Sequence, residues 1–281
     1  MIENSPEVFA SALPLRHALD HKYTRGAALV LSGEEFSTGA SRLAALSALR
    51  IGAGLVSLAG SEAALRIHGA HVTSVMLKPA PTLEAWQALI AEPRLKALCL
   101  GPGAGVNRAT RAFVFAALAA GPAVVLDADA LRAIADHTVR FARLVRALPR
   151  PVMLTPHEGE FAALFRDLSG PREARALAAA KAIGAIVILK GHESLIAAPD
   201  GRTAVNRNAP PTLATAGSGD VLAGILTGLL AQGMPGFEAA CAAVWLHGEA
   251  GKLCGPRPIA DDLCAALARL PDFATLLPPK G

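Results

Sequence analysis

Aromatic side chains are scarce in this chain: two Trp, one Tyr and nine Phe make up 4% of its 281 residues. So few aromatics cannot build the stacking platforms that hold single-stranded nucleic acid, despite a formal charge of +4. Arg140, Arg143, Arg146 and Arg150 recur at helical spacing and read as a solvated helix face. No nucleic-acid partner is expected, and a mildly basic surface suits small polyanions instead. Cysteine is equally sparse. Cys99, Cys241, Cys254 and Cys264 show no C-x-x-C pairing and no regular spacing with His, which argues against a disulfide framework or structural zinc. They read as small buried apolar residues in a reducing compartment. Long hydrophobic runs are also lacking, since the stretch from Ala112 to Leu126 is interrupted by Gly121-Pro122 and is too short to span a bilayer. The first residues, Met1-Ile2-Glu3-Asn4-Ser5-Pro6, lack the basic-then-apolar order of a secretory signal. A soluble, cytoplasmic protein is expected.

What the chain does contain is 52% apolar residues, enough for one large core. Short apolar runs at 27–31, 54–59, 97–100, 123–126, 152–154 and 185–189 read as buried strands. Between them, 39–50, 83–92, 108–119 and 172–183 carry apolar residues at three- and four-residue spacings, as in Leu43, Leu46 and Leu49. This alternation predicts an α/β fold: a mostly parallel central sheet with helices on both faces. Segments 194–198 and 202–205, joined by Pro199-Asp200-Gly201, resemble an antiparallel hairpin at one edge. The rest of the chain after the hairpin reads as helical. One domain over 21–281 is expected, preceded by a linker-like segment, 1–20.

In such sheets ligands bind beyond the carboxyl ends of the strands, and the residues there are polar or glycine-rich. Ser32-Gly33 follows the first strand, with Ser37-Thr38-Gly39-Ala40 opening a helix. Gly101-Pro102-Gly103-Ala104-Gly105 makes a tight turn or a ligand approach. Asp127 and Asp129 suit helix capping or a magnesium ion held through water and phosphate oxygens. Thr155-Pro156-His157-Glu158-Gly159-Glu160 presents a strand-end histidine, and Lys190 ends an otherwise apolar strand, where its charge needs a partner that nucleotide phosphates would supply. His17, His68, His71 and His137 have no such setting and read as surface residues.

The densest signal is Leu213-Ala214-Thr215-Ala216-Gly217-Ser218-Gly219-Asp220, which runs straight into the apolar stretch Val221 to Leu226. The first turn of a helix leaves amide N–H groups unpaired, and Gly217 and Gly219 let a phosphate approach them. A carboxylate beside that anion is repelled unless it has a task, and Asp220 is placed to take a proton from a hydroxyl that attacks a phosphoryl group. The alternative is an ordinary capped helix with Asp in its first turn.

Taken in order, Thr38-Gly39-Ala40, Arg50-Ile51-Gly52-Ala53-Gly54-Leu55-Val56, Gly101 to Gly105, Asp127-Ala128-Asp129-Ala130-Leu131, Thr155 to Glu160, Leu189-Lys190-Gly191 and Gly217-Ser218-Gly219-Asp220 resemble the ADP- or ATP-dependent NAD(P)H-hydrate dehydratases of the ribokinase-like superfamily. The resemblance runs from about His21 to the end. It implies a substrate that composition cannot reveal, hydrated NADH or NADPH bearing a hydroxyl on C6 of the nicotinamide ring. It puts Ala40, Gly103, Gly105 and His157 against that substrate. Lys190, Gly191, His192, Glu193, Ser194, Gly217 and Gly219 are set against the adenine nucleotide, and Asp220 against the C6 hydroxyl as catalytic base. Magnesium is expected with the ADP or ATP co-substrate, and Asp129 and Glu160 are candidates for its outer shell. ADP is favoured, because bacterial members commonly use it. The resemblance further implies the S epimer, a homo-oligomer, often a tetramer, and a separate epimerase as functional partner of a chain that carries the dehydratase alone; the apolar C-terminal helices around Ala239–Leu246 are the expected contact surface.

Departures are confined to detail. Glu158 stands where the family usually has proline, His192-Glu193-Ser194 replaces Ala-Gly-Thr, and the acidic residue common before Met76 is missing. The competing reading is a ribokinase-like kinase of vitamin precursors such as hydroxyethylthiazole or hydroxymethylpyrimidine, which shares the glycine-aspartate loop. A non-catalytic adenylate sensor is the third, disfavoured by Asp220 and Lys190, since binding alone needs no base.

Overall fold

The computed structural model describes residues 1–15 and 19–276; His17, read above as a surface residue, lies outside them. Ten strands form one sheet: β1 (Ile2–Glu3), β2 (Ala27–Leu31), β3 (Leu55–Gly60), β4 (Met76–Pro79), β5 (Leu95–Leu100), β6 (Ala123–Leu126), β7 (Val152–Leu154), β8 (Ile186–Leu189), β9 (Ser194–Ala197) and β10 (Thr203–Asn206). Their order is β1-β10-β9-β8-β7-β6-β5-β2-β3-β4. From β8 to β4 all neighbours are parallel, while β9 runs against both β8 and β10. The antiparallel hairpin expected at the edge is β9–β10, with β1 added outside it.

The pleat sorts the core. On β2, Ala28 and Val30 join one buried cluster with the helices Thr38–Arg50, Ser218–Ala231 and Gly236–Leu253, whereas Leu29 and Leu31 join the other with Leu83–Ile90, Arg108–Ala119 and Thr138–Val145. The helix Ser218–Ala231 is buried along most of its length and lies close against Thr38–Arg50. Two glycines allow this. A Cβ on Gly224 would stand 2.2 Å from the Ala44 carbonyl oxygen, and one on Gly228 would stand 2.6 Å from that of Ala48. Asp220, one turn earlier, thereby has its position fixed by backbone-to-backbone packing.

Strand order reverses between β5 and β2, since the chain leaves β2 toward β3 on one side and β5 toward β6 on the other. Loops departing in opposite directions open a crevice there, the usual ligand site of such sheets. Ser37 Oγ donates to the Gly103 carbonyl oxygen (2.9 Å), tying the loop after β2 to the loop after β5 across it.

The first residues, read as linker-like, are packed in the structure. Ile2 and Glu3 pair with β10, Asn4 Nδ2 donates to Asn206 Oδ1 at 2.8 Å, and Phe9 is buried 5.8 Å from the Trp245 ring. β4 has no counterpart in the strand pattern above. It is an exposed edge strand containing Lys78 and Pro79, the residues that blunt an edge and also erase the alternating signal.

Candidate active site

Side chains from three strand ends meet beneath the start of the helix Ser218–Ala231. Asp127 follows β6, Thr155 follows β7 and Lys190 follows β8. Asp127 is buried, and its Oδ1 accepts from Lys190 Nζ at 2.7 Å and from Thr155 Oγ1 at 2.8 Å. The partner required by Lys190 is therefore within the protein, where the sequence reading had looked to nucleotide phosphates. Asp127 makes no side-chain cap to the helix that follows it. Ala128 is held there at φ 45, a left-handed conformation that costs a non-glycine residue about 1 kcal/mol or more. Burial works against the Lys190 charge, but Asp127 and Glu160 (Oε2 at 4.0 Å) outweigh it and hold the ammonium above its usual range.

Asp220 sits above this pair, in the first turn of a helix whose N-cap is Gly217 at φ +86. A Cβ at Gly217 would press on Ala260 and Leu43 at 2.8 Å, and one at Gly219 would lie 3.2 Å from Lys190 Nζ. Glycine at both positions brings the helix start down onto the ion pair. Burial first, then the negative charge of Asp127, pushes the Asp220 carboxyl up to about 7, with Lys190 pulling it back. A carboxyl raised toward neutrality in the first turn of a helix has the proton affinity that suits a general base.

On one side of Asp220 lies a cavity of about 510 Å³, walled by Lys190, Gly191, His192, Ser194 and Gly219 together with Pro210, Pro211, Leu213, Leu222 and Val244. A charged end and an apolar end suit a purine nucleotide with its phosphates toward Asp220. Glu193 turns away from it: its carboxylate pairs with Arg207 Nε at 2.7 Å. Gly217 contributes to the helix start rather than to the cavity wall. One wall residue had no signal in the sequence. His247 is buried on the helix Gly236–Leu253 among apolar neighbours, and its Nε2 lies 3.1 Å from Ser218 Oγ. Burial drives its imidazole down to about 4.

On the other side lie Ala40, Gly103 and Gly105, which the Ser37–Gly103 bond and a hydrogen bond from Gly105 N to Asp129 Oδ2 (2.9 Å) hold in one wall. His157, half-exposed, caps the helix Glu158–Leu164. Its Nδ1 accepts from Gly159 N and Glu160 N while Glu160 Oε2 accepts from His157 N. An accepting Nδ1 leaves the ring proton on Nε2, which faces Glu160 Oε1 at 3.4 Å. Glu158, the unusual residue of that loop, pairs with Arg172 and Arg175.

Asp129 and Glu160 both already accept backbone N–H bonds, and no group of three His, Cys, Asp or Glu among the described residues is arranged to hold a metal. Such a donor set fits a magnesium ion carried by nucleotide phosphates and water, with carboxylates at its outer shell, and not a protein cage. His68, read as a surface residue, is fully buried. The apolar spacing of Ala64, Leu65 and His68 on the helix Glu62–Gly69 puts it on the inward face.

An open, mostly parallel sheet with helices on both faces and a ligand crevice at its carboxyl edge is the ribokinase-like architecture. Within it the chain belongs to the NAD(P)H-hydrate dehydratase family, whose model matches residues 28–270. Among similar proteins, the ADP-dependent (S)-NAD(P)H-hydrate dehydratase of Neisseria meningitidis is 38% identical over 264 residues, 88% of this chain and 86% of its own length. A bifunctional NAD(P)H-hydrate repair enzyme of Gloeobacter violaceus is 38% identical over 259 residues, 90% of this chain but 50% of its own length, so the chain spans about half of such relatives. The crystal structure of the ADP/ATP-dependent NAD(P)H-hydrate dehydratase from Bacillus subtilis, co-crystallised with ATP and Mg2+, superposes with a TM-score of 0.83 at 29% identity, covering 98% of this chain and 99% of that one.

Proposed function

We propose that this chain removes water from the S epimer of hydrated NADH or NADPH at the expense of ADP or ATP. The observation that carries the reading is Asp220, a carboxyl raised to about 7 at the mouth of a helix start that lies between the nucleotide-sized cavity and the glycine-walled crevice. Hydroxide leaves a saturated ring carbon poorly, so the hydroxyl must first be converted into a better leaving group. Asp220 takes the C6 hydroxyl proton as the oxygen attacks the terminal phosphorus, and AMP or ADP departs. The amides of Gly217 and Gly219 face the oxygens of the group in transfer, and Lys190, held by Asp127, offsets their charge. The C6–O bond then breaks, driven by the ring nitrogen lone pair; phosphate leaves, and loss of a proton from the adjacent ring carbon restores the dihydropyridine.

Ala40, Gly103, Gly105 and His157 form the substrate wall in this reading, and Lys190, Gly191, His192, Ser194 and Gly219 the nucleotide wall. Magnesium bound with the nucleotide supplies neutralisation of phosphate charge, with Asp129 and Glu160 accepting from its waters. ADP is the expected co-substrate. A cytoplasmic setting, a homotetramer and an epimerase that delivers the S form belong to the same proposal, and no helix among the described residues is long and apolar enough to cross a membrane. The deciding experiment is incubation with hydrated NADH, magnesium and ADP or ATP, following the absorbance of the reduced nicotinamide. Recovery of NADH with one AMP per ADP is expected; no recovery with either nucleotide overturns the proposal.

A further inference from the structure

A buried imidazole–hydroxyl pair lies beneath the crevice and is used by none of the steps above. His68 is fully shielded from solvent, and its Nε2 stands 2.8 Å from Ser32 Oγ. Ser32 follows directly on β2, and its own hydroxyl donates to the Gly33 carbonyl oxygen at 2.7 Å. A hydroxyl has one proton to give. With that proton on Gly33, the imidazole must be the donor to Ser32, which fixes its hydrogen on Nε2 and leaves Nδ1 bare. That Nδ1 is buried and has no hydrogen-bond partner. An unsatisfied buried nitrogen costs about 1–3 kcal/mol, so a fully apolar side chain would pack there at less expense. Protonating Nδ1 would place a second cation near Arg42, and burial together with Arg42 and His71 keeps the ring uncharged.

The bonds run onward into the crevice wall. Ser32 is pinned from behind by Gly60, where a Cβ would meet Ser32 Cβ at 2.8 Å, and its amide donates to Ala59 O at 2.7 Å. A Cβ at Gly33 would stand 2.1 Å from the Gly103 carbonyl oxygen and 2.6 Å from Ser37 Oγ, and Ser37 in turn donates to Gly103. His68, Ser32, Gly33, Ser37 and Gly103 thus form one continuous chain of contacts from the far side of the sheet edge to the loop that faces the nicotinamide half of the crevice. None of these groups borders the nucleotide cavity.

We propose that His68 is a positioning residue for the substrate loops: by donating to Ser32 it fixes the direction of the Gly33 carbonyl and so the spacing of the two glycine turns that receive the hydrated ring. The inference rests on the dehydratase reading for its substrate and on geometry alone for its loops. It is tested with Ser32→Ala, His68→Leu and the double variant, measuring KM and kcat for hydrated NADH, KM for ADP and, in parallel, the affinity for NADH by its own fluorescence. Each single change should raise the KM for hydrated NADH and weaken NADH binding about tenfold, the equivalent of one lost buried hydrogen bond, with the KM for ADP unchanged within about twofold. Ser32→Thr, which keeps the hydroxyl, should restore both. The double variant should be no worse than either single one, because both break the same link. Unchanged NADH affinity in folded single variants, additive losses, or an equal rise in the KM for ADP would each overturn the proposal. If the wild-type chain fails to turn over hydrated NADH, the dehydratase reading falls, while the NADH titration still decides the loop-positioning claim.

Discussion

At the scale of single residues, Asp220 and the Asp127–Lys190 pair do different work. Asp220→Asn keeps the shape and capping ability of the first turn while removing the proposed base, so turnover should fall about 10²–10⁴-fold with nucleotide affinity largely retained. In the wild type, kcat/KM should rise with pH through about 7, the value at which the carboxyl loses its proton, and then level off. A flat profile between pH 6 and 8 would assign the base to another group. Lys190→Met is a different test. It leaves the buried Asp127 carboxylate with only Thr155 at 2.8 Å, and stranding one member of a buried pair costs about 3–5 kcal/mol. Thermal unfolding should therefore drop by several degrees even without ligand, whereas a role confined to nucleotide phosphates would leave the free protein's stability intact.

At the scale of elements, the helix Ser218–Ala231 is where local preference and packing collide. Alanine is the better helix former by about 1 kcal/mol, so Gly224→Ala would stabilise an isolated helix. Here the added methyl group meets the Ala44 carbonyl oxygen at 2.2 Å, and separating two helices by their backbones outweighs propensity. A net loss of about 2 kcal/mol is expected, with Asp220 displaced and turnover reduced; calorimetry showing equal or higher stability would refute the close-contact account. This element was legible as a buried helix because its apolar run is continuous, and β2, β6 and β7 were legible to the residue because both of their faces are buried. β4 and β1 were not, being short, exposed edge pieces, and β1 pairs with a strand at the other end of the chain. The glycine-aspartate start and the strand-end Lys190 announced themselves by chemistry out of place. His247 and His68 did not, since a neutral buried histidine differs from its apolar neighbours only by a partner, Ser218 or Ser32, that the fold brings from elsewhere.

At the scale of the whole molecule, these buried groups couple the site to stability through pH. His68 and His247 titrate at about 4 in the fold, below the usual 6.5, so the unfolded chain binds protons that the native state refuses. Their contribution is fully present above pH 6.5 and is lost as pH falls through 6.5 toward 4, and it makes the protein acid-sensitive. Asp220 acts with the opposite sign. Its native value of about 7 lies above the usual 3.8, so the native state keeps a proton that the unfolded chain has released, and its cost to stability grows as pH rises from 3.8 and is complete above 7. The carboxyl proposed as the base thus works against the fold at neutral pH and above. Asp220→Asn removes that cost without altering the two histidines. Denaturant unfolding at a series of pH values should find the variant more stable than wild type by about 1–4 kcal/mol at pH 8, with the gap narrowing steadily below pH 7 and nearly closed by pH 4. A gap that stays constant across this range would mean that Asp220 ionises as an ordinary surface carboxyl, and the base would have to be sought elsewhere in the crevice.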